Sequence, residues 1–130
     1  RELAALLADL QRYGTLGPDE LRRESQAMTQ AVARTRSDAM RLRLAVLHTL
    51  SRQSPQDDQR ALQLLDAVAK ANPGTPALKQ LAAVLQVQVA ERVRAVRDEQ
   101  AKSEAALQKL EALRAMERSL LRDRARSGGG

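Results

Sequence analysis

A search for residues able to do chemistry starts at His48, the only histidine in the chain. It lies in "LAVLHTL", within a helical apolar pattern, so its ring falls on or beside a buried face. A core histidine satisfied by its surroundings is the plainer reading, a general base the sharper one. The acidic pairs Asp57/Asp58 and Asp98/Glu99 are the other candidates. The first pair falls in the opening turn of a helix, where carboxylates favour the positive helix end, and the second falls on a solvated helix face. The chain has no cysteine, which removes a disulfide framework, a thiolate zinc site and a cysteine nucleophile. With one histidine, any metal site would have to be completed by carboxylates. There is no Ser-centred elbow, no phosphate-binding glycine loop and no HExxH. The expectation is a protein with no catalytic residues, no cofactor and no metal, and so not an enzyme.

Charge raises a second kind of chemistry. The formal net charge is +6, with 22 Lys and Arg against 16 Asp and Glu. A basic balance suggests nucleic acid, for which steep loss of binding with added salt would be the signature. Yet the signs alternate, as in "ERVRAVRDEQAKSE" (Glu91 to Glu104), the pattern of a solvent-facing helix. The densest basic cluster is Arg118, Arg122, Arg124 and Arg126. Tyr13 is the only aromatic residue, so nothing offers a stacking platform for bases. Nucleic acid is not expected as a partner.

The elements that would position any site are helices. Hydrophobic residues make up 43% of 130, almost all of them Leu, Ala, Val and Met. Runs of β-branched and aromatic residues suited to strands are missing. The expectation is all-α: short helical hairpins followed by a long C-terminal helix with coiled-coil character. Helices are expected at about 1–13, 18–35, 38–52, 55–71 and 75–96, together forming a body over 1–96. Residues 97–124 would extend the last helix as a docking segment, and 125–130 would be a flexible tail.

Local signals set those limits. Leu3, Leu6, Leu7 and Leu10 form one stripe, with Gly14 as its terminator. Pro18, Asp19 and Glu20 open a second helix whose apolar positions (Leu21, Ala27, Met28, Ala31, Val32) are thin, so it should be half exposed. The third, capped at Ser37 or Asp38, carries Met40, Leu44, Leu47 and Leu50, widened by Leu42, Val46 and Thr49, and should be the most buried. Ser54 before Pro55 caps the fourth, which buries Leu62, Leu65, Val68 and Ala69 and stops at Asn72-Pro73-Gly74. Residues 37–74 resemble a single tetratricopeptide unit: Ala61, Leu65 and Val68 precede Pro73 at that pattern's spacing, without its large aromatic in the first helix. One unit cannot bury its own face, so a lone helical hairpin is expected.

The last helix opens with Thr75 and Pro76 and meets no further glycine or proline until Gly128. At about 1.5 Å per residue it would span roughly 75 Å. Its first half offers Leu81, Val84, Leu85, Val87, Val89, Val93 and Val96 for packing. Its second half carries a different stripe: Leu107, Leu110, Leu113, Met116 and Leu120. The polar stretch from Arg97 to Glu104 interrupts the heptad between them, which leaves two or three turns of docking helix. No stretch reaches the roughly 18 uninterrupted apolar residues of a membrane span.

"KLEALRAMERSL", Lys109 to Leu120, resembles the coiled-coil end of the QseG (YfhG) family of small outer-membrane lipoproteins, which accompany a QseE-type sensor histidine kinase. That family's Lys-Leu-Glu, x, Leu, then apolar-Glu-Arg-x-Leu pattern is matched by Lys109, Leu110, Glu111, Leu113, Met116, Glu117, Arg118 and Leu120. The upstream order of helices, proline break and "QVQVAERVR" is also similar, so the resemblance runs over roughly 40–122. The family's lipid-bearing and early cysteines have no counterpart here. The resemblance implies a periplasmic protein, anchored to the outer membrane through a lipid-bearing segment upstream of Arg1. It also implies a partner, the periplasmic domain of a sensor histidine kinase. The stripe Leu107, Leu110, Leu113, Met116 and Leu120 would pack on helices of the sensor, while Lys109, Glu111, Arg114, Glu117 and Arg118 fix register by charge. Pairing of the same stripe in a homodimer, or its folding back on the first helix, stays open beside this. So does a repeat-type adaptor that binds peptides between the helices around Met40 to Val68.

Overall fold

The computed structural model describes residues 1–51 and 54–128 and is all-helical over them. Five helices follow in order: α1 (Glu2–Tyr13), α2 (Pro18–Arg34), α3 (Asp38–Ser51), α4 (Pro55–Ala69) and α5 (Pro76–Gly128). The chain divides into two units, Arg1–Val93 and Arg94–Gly130.

The first unit is built around α3, which packs against α1, α2 and α4. Its core joins Leu6 of α1, Ala39, Leu42 and Ala45 of α3, Ala61, Leu65 and Val68 of α4, and Leu78, Ala82 and Val89 of α5. Alanine at 39, 45, 61 and 82 lets backbones approach closely, and leucine fills the remaining volume. The three α4 residues that carry the repeat-like spacing are all in this core, so α3 and α4 form the expected hairpin. Tyr13, the only aromatic, is also buried.

The helix ends follow the sequence signals closely. Pro18 and Pro55 occupy the first turns of α2 and α4, where a missing N–H costs nothing. Ser54 caps α4 through a reciprocal box in which its side chain accepts from the Asp57 N–H and the Asp57 carboxylate accepts from the Ser54 N–H at 3.2 Å. Gly14 ends α1 in a right-handed conformation, φ −64°, so no left-handed cap is needed there. At Gly74 a Cβ would lie 2.9 Å from the Ala71 carbonyl oxygen, and that close approach is what calls for glycine.

Three features depart from the expectation. First, α3 buries Leu42, Leu44 and Leu47 as expected but adds Ala39 and Ala45, while the ends of the expected stripe fall outside the core: Met40 is half-buried and Leu50 exposed. A helix clasped from three sides buries a broad arc, and its centre cannot be read from one line of leucines. Second, α5 uses Leu78, Ala82 and Val89, while Val84, Val87 and Val96 are exposed. At 100° per residue, Val84 and Val87 fall on the far side of the helix from Leu78. Third, α4 ends at Ala69 rather than 71, and α5 continues as helix to Gly128, past the expected end at 124 and into the expected flexible tail.

Polar contacts lock the first unit from outside. Arg43 Nε donates to Asp9 at 2.8 Å, tying α3 to α1. Arg12 reaches Glu24 at 2.9 Å, tying α1 to α2. Arg92 holds α5 in two places, donating to Asp58 at 2.6 Å and to the Thr49 carbonyl at 3.4 Å. Gln86 adds a bond to Asp66 at 3.2 Å. The described ion pairs all lie between Asp9 and Arg92.

Candidate functional site: the exposed half of α5

From Arg94 to Gly128 every residue of α5 is exposed. Helix propensity accounts for the conformation: the segment is rich in Ala, Leu, Glu, Lys and Arg, with no interior Gly or Pro. It does not account for the regular spacing of the leucines. Leu107, Leu113 and Leu120 are 58%, 61% and 67% exposed, and Leu110 and Met116 are likewise open. Isolated exposed leucines are ordinary, whereas a row of them on one helix leaves an apolar surface that a partner could cover.

All ten residues expected at the docking surface (Leu107, Lys109, Leu110, Glu111, Leu113, Arg114, Met116, Glu117, Arg118, Leu120) lie on this segment. Their arrangement is broader than a single stripe. Leu107, Leu110, Leu113 and Met116 advance by three residues each, and every such step falls about 60° behind the helical repeat. The apolar positions therefore spread over an arc about 180° wide, with Lys109, Arg114 and Glu117 set into it. Leu121, 56% exposed, belongs to the same arc and was not among the expected residues. Its signal was present in the sequence: it stands seven residues after Arg114 and eleven after Leu110, in line with both.

The other candidate is a polar recess of about 210 Å³ between α2, α3 and the start of α4. Ser25, His48, Ser51, Asp57 and Arg60 line it. The residue types suggest a nucleophile, a base and an acid, but the geometry is that of a cap. Ser51 Oγ donates to the Leu47 carbonyl at 2.8 Å and lies 3.3 Å from Ser25 Oγ. His48 Nδ1 is 3.9 Å from Asp57 Oδ1, beyond hydrogen-bond reach. Burial holds the His48 imidazole below its ordinary pKa; nearby Asp57 opposes the shift and Arg60 adds to it. His48 is thus half-buried beside the α4 cap, close to the expected core position.

Among the described residues no three His, Cys, Asp or Glu gather as metal ligands, and no helix is long and apolar enough to cross a membrane. Compared with models of protein families, with curated proteins and with solved structures, the chain matches none.

Proposed function

We propose that this chain is a non-enzymatic interaction protein whose exposed α5 segment docks on a helical partner, the periplasmic sensor domain of a two-component histidine kinase. The observation that carries the docking is the run of exposed leucines from Leu107 to Leu121 on a helix segment that buries none of its residues. A partner that covers this apolar arc removes its leucines from water, which favours the docked state. The choice of partner, the periplasmic setting and the outer-membrane anchor upstream rest on the resemblance of Lys109–Leu120 to the QseG family. Binding modulates the kinase only if this chain prefers one of the sensor's signalling states, since a ligand shifts an equilibrium by its differential affinity alone.

The test is calorimetric binding of the chain to that sensor domain, with Leu110→Asp/Leu113→Asp as the comparison. The expected result is saturable binding by the parent chain, lost in the double variant while its melting temperature holds. Equal binding by both chains would remove α5 as the docking surface.

A further inference from the structure

The charges set into the apolar arc of α5 are placed so that the segment complements itself when turned end for end. Take the seam Leu107, Leu110, Arg114, Glu117 and Leu121, whose spacing alternates three and four residues as in a coiled coil. Two copies laid parallel in register would bring Arg114 against Arg114 and Glu117 against Glu117, like charges in the centre of the contact. Laid antiparallel about a point between Ala115 and Met116, Leu110 meets the partner's Leu121 and Arg114 meets the partner's Glu117. The flanks agree with this register. On one side Glu111 comes within two residues of level with the partner's Arg118, and on the other Leu113 is offset by the same amount from the partner's Leu120, both close enough to pair across the flank. Each of these pairs occurs twice by symmetry, which is what a two-fold, isologous contact requires.

We infer that the exposed half of α5 is a self-association surface, on which a second copy of this chain packs antiparallel through Leu110–Leu121, Leu113–Leu120 and Arg114–Glu117. All six residues are exposed. Charge complementarity selects the orientation: the antiparallel register pairs opposite charges within the seam and on its flank, and the parallel one opposes like charges. The contact is short, so association is weak and dissociation easy, and docking on another helix then proceeds by exchange of one partner for the other. The inference does not depend on the kinase reading, because both halves of the contact belong to this chain.

The chain has no cysteine, so introduced thiols report pairing without background. Leu110→Cys and Leu121→Cys chains are prepared separately, mixed and oxidised gently. The antiparallel contact predicts that the mixed 110–121 disulfide dominates. In a parallel pair those positions are about 16 Å apart, far beyond disulfide reach. Sedimentation of the unmodified chain should show the mass of two chains, falling to one at high dilution. Arg114→Glu and Glu117→Arg should each sediment as single chains and recover the dimer when mixed. Dominance of 110–110 or 121–121 disulfides would overturn the orientation. A single chain's mass up to about 0.5 mM, where even a weak contact of this kind should associate, would overturn the inference altogether.

Discussion

Single residues show what the polar side chains around the core do. Asp57 serves the α4 cap, placing a carboxylate at a helix N-terminus and beside His48. The imidazole, half-buried between α3 and α4, is held toward its neutral form. The sign of the consequence follows from linkage. A histidine whose folded pKa lies below its unfolded value binds more protons when unfolded. Stability is therefore greatest above about pH 6.5 and falls as pH drops through that value toward the folded pKa. Urea midpoints measured between about pH 7.5 and 5.5 should decline, and His48→Gln should flatten the decline. An unchanged slope in that variant would place the titration elsewhere. The location of His48 was legible in its apolar surroundings. The recess around it was not, because Ser25 comes from a helix whose orientation a single sequence does not fix.

At the scale of elements, the same residue type has two fates. Leu65 in α4 is 1% exposed and Leu113 in α5 is 61% exposed, although both sit in regular leucine spacing. Leu65→Ala should lower stability by about 2–5 kcal/mol, because it removes buried methyls and leaves a cavity. Leu113→Ala should change it by less than about 0.5 kcal/mol, as befits a surface position, and slightly raise helicity. Chemical denaturation of the two variants at a concentration that keeps the chain single checks the contrast; a large loss at Leu113 would mean that α5 is covered within the chain. Helix limits were readable at Pro18, Ser54-Pro55 and Pro76, where capping chemistry is local. Faces were less so. Val84 and Val87 look as apolar as Val89, and only the position of α3 and α4 decides which of the three is shielded. The continuation of α5 through Gly128 also escaped the reading, since glycine at a helix end signals a stop from sequence alone but does not impose one.

For the whole molecule, the division at Val93 and Arg94 separates two kinds of sequence use. Up to Val93 leucine and alanine close a core; beyond it, leucine faces outward among arginine and glutamate. Composition revealed the all-helical class, and the break in the apolar pattern at Arg97 to Glu104 follows shortly after the last core residue of α5, Val89.

The most direct measurement is amide hydrogen exchange along α5, at a dilution that keeps the chain single, before and after the sensor domain is added. The free chain should protect residues 78–93, which the core holds, and exchange rapidly over 94–128, where helix ends only in solvent. Addition of the partner should slow exchange selectively over about 107–121. Protection of that stretch in the free single chain, or a partner effect confined to residues before Val93, would contradict the assignment of α5 as the working surface.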